Sequence, residues 1–114
     1  MGNVVLDQFD PRARTARLSI YIGEPDHRGK GVGATAVYRA LEHAFLKRGL
    51  NKVWLTVHTE NARAIKAYLK VGFQPERVDK DAFLLGARRV DGIYMGILGS
   101  DFLALQVEQT VTAQ

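Results

Sequence analysis

Asp26-His27-Arg28-Gly29-Lys30-Gly31-Val32-Gly33-Ala34 is a glycine-dense, basic loop set between a strand pattern and a helix pattern. Glycines at alternate positions let the backbone come close to a ligand. The N–H groups at the start of the following helix face that ligand with the positive end of the macrodipole. The loop is therefore built to hold an anionic group, a phosphate above all, and it marks a strand–loop–helix unit of an α/β chain.

The elements on either side follow from periodicity. Upstream, Gly2 to Phe9 is apolar and β-rich, Asp10-Pro11-Arg12 reads as a turn, and Ala16 to Ile22 alternates as a second strand, which predicts an antiparallel hairpin. Downstream, a helix is expected from about Gly33 to Arg48, with Val37, Ala40, Leu41, Ala44 and Phe45 on one stripe and Gly49 as its stop. Lys52 to Val57 is the next strand. A helical crossover joins it to Ala16–Ile22, so these two strands should run parallel. Thr59-Glu60-Asn61 can cap a second helix that ends near Val71-Gly72, and strands at Arg77 to Leu84 and Asp91 to Leu98 follow, with Gly86 in the turn between them. One domain over residues 1–98 is expected. Residues 99–114 are left as a tail, its patch of Phe102, Leu103 and Leu105 able to dock on the body or a partner but expected to fray.

At 114 residues, 46% apolar and 25% charged, the composition is that of one ordinary globular domain. No apolar run is long enough to span a membrane, and the N-terminus lacks the charged-then-apolar layout of a signal peptide. The absence of cysteine excludes a disulfide framework, a thiolate metal site and a cysteine nucleophile, and makes a cytoplasmic setting the expectation. The net charge of +4 suits an anionic ligand. The basic residues form no block, so nucleic-acid binding is allowed but not indicated.

On the second helix, Asn61, Ala64, Ile65 and Tyr68 share one face and Arg63, Lys66 and Lys70 the other. Asn61 and Tyr68 stand two turns apart, roughly 10 Å, so an inward amide and phenol can flank one extended ligand. On the residues alone the favoured reading is that Asn61 is a helix cap and Tyr68 a core aromatic. The glycine loop is not a Walker A loop: five residues, not four, separate Gly23 from Gly29, and Gly31 follows Lys30. Gly29-x-Gly31-x-x-Ala34 fits the dinucleotide fingerprint only loosely, because the strand ends several residues earlier and no acid ends the next strand at the expected offset.

Two motifs carry a family resemblance. Arg28-Gly29-Lys30-Gly31-Val32-Gly33 resembles the Arg/Gln-x-x-Gly-x-Gly/Ala pyrophosphate loop of the GNAT superfamily of acyl-CoA-dependent N-acetyltransferases. Glu60 to Phe73 resembles that superfamily's Asn-x-x-Ala-Ile-x-x-Tyr-x-x-x-Gly-Phe motif almost position for position. The likeness runs from about Gly2 to Leu98 and is greatest to the ribosomal-protein N-terminal and spermidine acetyltransferase branch, including the closing Asp91-Gly92-Ile93-Tyr94-Met95-Gly96-Ile97-Leu98.

The resemblance implies a mixed, mostly antiparallel sheet with two flanking helices, and acetyl-CoA as co-substrate. It assigns the pyrophosphate to Arg28, Gly29, Lys30, Gly31, Val32, Gly33 and Ala34. The pantetheine arm falls to the backbone of Ser19, Ile20, Tyr21 and Ile22, in a gap between this strand and the one at Lys52–Val57, with Asn61 also on the pantetheine side. Tyr68 becomes the general acid that protonates the departing thiolate.

The chain also departs from the family. Where the branch often has Ala-Glu, this strand begins Ala16-Arg17, so a cation replaces the acid the resemblance offers as base, and Glu24 and Glu60 are weak substitutes. His58, at a strand end near the expected cleft, reads first as structural. His27 and His43 look solvated or packed, and the three histidines are too dispersed for a metal site, so no metal is expected. The resemblance implies that two strands and two helices, with much of the acceptor site, precede in full members the strand that here begins at Gly2, and a misplaced start, a truncated coenzyme-binding remnant or a subunit completed by a partner would each account for the difference. The sequence therefore supports an N-acetyltransferase acting on a primary amine or, alternatively, a coenzyme A binding remnant or subunit without activity of its own. The sheet edge left bare by the shortening predicts a homodimer.

Overall fold

The computed structural model describes the backbone of residues 2–22 and 34–112, and the side chains within 4–19 and 36–105. Strands β1 (Gly2–Asp10) and β2 (Thr15–Ile22) form the antiparallel hairpin, in register from Gly2↔Ile22 to Asp7↔Arg17. Helix α1 (Ala34–Glu42) runs on into a π-helical turn, His43–Lys47. There the Arg48 N–H donates to the His43 carbonyl at 3.0 Å, and Gly49 (φ +64°) turns the chain out of the helix.

Strand β3 (Lys52–His58) is followed by helix α2 (Ala62–Val71), strands β4 (Gln74–Leu85) and β5 (Arg88–Leu98), and helix α3 (Gly99–Thr112). The sheet order is β1-β2-β3-β5-β4, with β2 and β3 parallel and every other pair antiparallel. This is the mixed, mostly antiparallel sheet the residues implied.

Alternation sorts the sheet into two faces. Ala16 is buried, and Leu18, Val53, Leu55, Val57, Met95 and Ile97 are buried in one core with Val37, Leu41, Ala44 and Phe45, and with Tyr68, Phe73 and Phe102. The expected α1 stripe is thus the buried one, with Ala40 partly buried against the same core. Arg17, Lys52, Trp54, Thr56, His58 and Tyr94 occupy the alternate positions and lie on the opposite, open face. There Trp54 stacks on Tyr94 at 5.2 Å, and Arg77 sits 4.2 Å from the centre of the Tyr94 ring.

The C-terminal segment corrects one expectation. Instead of fraying, residues 99–112 form α3, anchored by Phe102, which is 1% exposed and lies 5.3 Å from the rings of both Tyr38 and Phe45. The Gly99 N–H donates to the Asn51 carbonyl at 2.9 Å and ties the start of α3 to the loop before β3. The anchor is a contact between residues far apart in the chain, which no local pattern encodes.

Candidate functional site

The parallel pair β2/β3 is short. Its register covers Thr15↔Lys52, Ala16↔Val53 and Arg17↔Trp54 and then stops, although β2 continues to Ile22 and β3 to His58. Beyond Arg17 and Trp54 the facing backbone edges of the two strands have no ladder partner among the described residues, although β2 remains paired to β1 and β3 to β5. Unpaired amide edges in mid-sheet are costly unless something else satisfies them. An extended, amide-bearing ligand fits that requirement. Ser19, Ile20, Tyr21 and Ile22 form the β2 side of this cleft.

Helix α2 borders the same region. Asn61 is its N-cap: the side-chain oxygen accepts from the Ala64 N–H at 3.2 Å, which directs the NH2 group elsewhere, and that group makes no hydrogen bond among the described residues. Tyr68 is 8% exposed and packs edge-on against Phe73, with ring centres 5.8 Å apart. Burial raises the Tyr68 phenol above its ordinary pKa, so it stays protonated throughout the neutral range. Asn61 and Tyr68 are therefore cap and core residue, as the structural reading had it, and they also lie on the inward face the ligand reading required. Gly72 (φ +127°) closes the helix, donating to the carbonyls of Tyr68 and Leu69 at 3.1 Å each. A Cβ there would meet Leu105 Cδ1 at 2.7 Å.

Ala34 is the first residue of α1, as the loop pattern requires. Arg28, Gly29, Lys30, Gly31, Val32 and Gly33, together with Glu24 and His27, lie outside the described residues.

Of the two carboxylates considered as bases, Glu60 is described, and it is engaged. Glu60 accepts two hydrogen bonds from the Arg88 guanidinium, both 2.9 Å, and this pairing holds its carboxyl below the usual range. Arg17 donates from Nε and Nη2 to Asp7, both at 2.9 Å, and this lowers the Asp7 pKa. Each is thereby made a weaker proton acceptor.

Three features escaped the sequence reading. The Glu60–Arg88 tie joins the α2 entry to β5. Thr59, Ala62, Arg63, Ile65, Lys66 and Leu69 line a cavity of about 460 Å³ on the flank of α2. His58 Nδ1 is buried without a hydrogen-bond partner among the described residues. No group of three or more His, Cys, Asp or Glu residues placed to hold a metal occurs among the described residues.

A family model described as the acetyltransferase (GNAT) family matches residues 1–73. The chain belongs to the GNAT acetyltransferase family. Among its GNAT relatives, the spermidine N(1)-acetyltransferase of Vibrio cholerae is 35% identical over 103 residues, spanning 90% of this chain and 59% of that protein. The enzyme of the same name from Escherichia coli K12 is 32% identical, over 90% of this chain and 55% of the relative. A manganese complex of the Vibrio cholerae spermidine/spermine N-acetyltransferase superposes with a TM-score of 0.84 at 35% identity, over 91% of this chain and 61% of that one. A dodecameric structure of the Vibrio cholerae enzyme also gives 0.84, over 90% and 60%. This chain thus spans between 55% and 61% of the length of these four relatives.

Proposed function

We propose that this GNAT chain is the acetyl-CoA-binding and proton-donating part of an N-acetyltransferase that moves an acetyl group directly to a primary amine. The observation that carries the reading is the early end of the β2/β3 ladder at Arg17↔Trp54, which leaves two amide edges facing a cleft beside the inward face of α2. In this reading residues 28–34 grip the pyrophosphate, Ser19 to Ile22 pair with the pantetheine amides, and Asn61 donates from its NH2 group. When bound, acetyl-CoA supplies the acetyl group as a thioester, activated toward an amine. Tyr68 holds a proton for the departing sulfur, and its raised pKa keeps that proton in place until it is needed.

An alkylammonium near pKa 10.4 must lose a proton before it attacks. The engagement of both Asp7 and Glu60 favours a second reading, a coenzyme-binding subunit that depends on another chain for its base and acceptor cleft. The homodimer belongs to the proposal as well. β1 and β4 are the sheet's edge strands, and β4 exposes Val78 and Leu84 at 58% and 60%. A cytoplasmic setting completes it.

Calorimetry with acetyl-CoA tests the cofactor half: absence of binding at high micromolar ligand defeats both readings. Thiol release with polyamines and peptide N-termini separates enzyme from binding subunit. Spermidine is the first amine to try, since the relatives are named for it. Sedimentation showing a stable monomer at micromolar concentration defeats the homodimer.

A further inference from the structure

We propose that Arg88 is a positioning residue for Asn61: its guanidinium, paired with Glu60, fixes the turn from which the Asn61 NH2 group is presented and so sets how tightly the coenzyme is held; this rests on the coenzyme reading above. The placement follows from the strand lengths. β3 ends at His58, paired with Gly92, whereas β5 begins at Arg88, four residues before Gly92. The start of β5 therefore overhangs β3, and it is held on its far side by β4 through Leu85↔Arg88, Leu84↔Arg89 and Phe83↔Val90. Along this overhang runs the turn that leads from β3 into α2.

Two contacts hold the turn there. The Thr59 N–H donates to the Asp91 carbonyl at 3.0 Å, and the Glu60 carboxylate accepts from both Nη1 and Nη2 of Arg88 at 2.9 Å each. Asp91 is itself fixed from the β4 side: one carboxylate oxygen accepts from the Asp81 N–H at 2.9 Å, and the other stands 3.7 Å from Lys80 Nζ. The turn is thus fastened to a strand that is already held in place.

Asn61 directly follows Glu60. Its N–H donates to the His58 carbonyl at 3.0 Å and its side-chain oxygen accepts from the Ala64 N–H at 3.2 Å, so the path of the turn sets the direction of the remaining NH2 group. A guanidinium that grips both carboxylate oxygens restricts rotation as well as distance, which a single point charge does not. Both side chains are exposed, Arg88 at 64% and Glu60 at 47%, so the pair contributes little to overall stability and its removal leaves the core untouched. Its effect is local. Without it, the Thr59 hydrogen bond to Asp91 is what holds the turn to β5 among the described residues.

The test is the affinity of the full chain for acetyl-CoA, measured by calorimetry, in the original protein and in Arg88→Ala, Arg88→Lys, Asn61→Ser and the Arg88→Ala/Asn61→Ser double variant. Serine keeps a cap for α2 and removes the NH2 donor, while Arg88→Lys keeps the charge and removes the fork. Arg88→Ala is expected to weaken binding about threefold to fivefold, the range an exposed ion pair supports, and Arg88→Lys to weaken it nearly as much. Beside Asn61→Ser, Arg88→Ala is expected to change nothing further. Original affinity in Arg88→Ala overturns the proposal, and so does original affinity in Arg88→Lys, which would make charge rather than orientation the function of the pair. A penalty that persists undiminished beside Asn61→Ser overturns it too, since Arg88 would then act by another route. If the original protein binds no acetyl-CoA, the coenzyme reading falls, and the positioning is decided on the ligand-free chain by amide hydrogen exchange. Ala64, whose N–H is capped by Asn61, should then exchange about threefold faster in Arg88→Ala while Met95 in the core is unchanged, and equal rates at Ala64 overturn the positioning.

Discussion

Arg17 and Asp7 face each other across the β1–β2 pair, and the guanidinium fork donates two 2.9 Å hydrogen bonds to one carboxylate at the last rung before β2 leaves β3. Both side chains are about one-third exposed, at 31% and 34%, so the pair adds little stability, under about 1 kcal/mol. Its effect falls on proton affinity. The folded-state pKa of Asp7 is lowered, so its contribution is present above the ordinary carboxylate value and fades as pH falls through the lowered one. Asp7→Asn is expected to lower the melting temperature slightly at pH 7 and to reduce the difference in stability between pH 7 and pH 3, read by thermal denaturation at both. An unchanged pH difference would show that the pair does not persist in solution.

Tyr68→Phe keeps the ring against Phe73 and removes the hydroxyl. Turnover should fall by about 10²-fold or more with acetyl-CoA affinity nearly intact, since general acid groups contribute on that scale. Weakened affinity at constant turnover would contradict the acid role. Because burial raises the phenol's pKa, folding protects its proton, and stability should decline as pH climbs past the ordinary tyrosine value. Part of that decline should disappear in the Phe variant, as read in alkaline melting curves.

Asn61 serves two ends that substitution can separate. Asn61→Asp keeps an oxygen for the Ala64 N–H and loses the NH2 donor, while Asn61→Ala loses both. The Ala variant should be about 0.5–2 kcal/mol less stable and the Asp variant close to the original. Both should bind acetyl-CoA more weakly. Normal affinity in the Asp variant would reduce Asn61 to a cap.

Phe102→Ala should cost about 3–5 kcal/mol, because the ring is buried between Tyr38 and Phe45. Chemical denaturation measures this directly. A cost below about 1 kcal/mol would mean that α3 is not docked on the core.

Asp81 sits at φ +52° in an irregular stretch of β4, where a side chain is strained and glycine is not. Its hydrogen bonds to Asp91 and Arg89 use backbone atoms, which glycine retains. Asp81→Gly is therefore expected to stabilise the fold by up to about 1 kcal/mol in denaturant titration, and clear destabilisation would show that the Asp side chain has a role of its own.

What the sequence determined by itself was whatever depends on neighbours in the chain. Leu41 and Phe45 recur at helical spacing, Gly49 and Gly86 stand where the backbone turns to positive φ, and Asn61 precedes a helix it can cap. The Asn61-to-Phe73 spacing carried the family because its residues act from one turn to the next of a single helix. Only the tertiary structure decided the rest, because its partners are brought together by packing. Phe102 turns a polar-looking tail into a helix by reaching aromatic rings more than fifty residues upstream. Arg88 removes Glu60 from the list of bases across 28 residues. The point where β2 and β3 part depends on how two twisted strands diverge once other strands hold each from its far side.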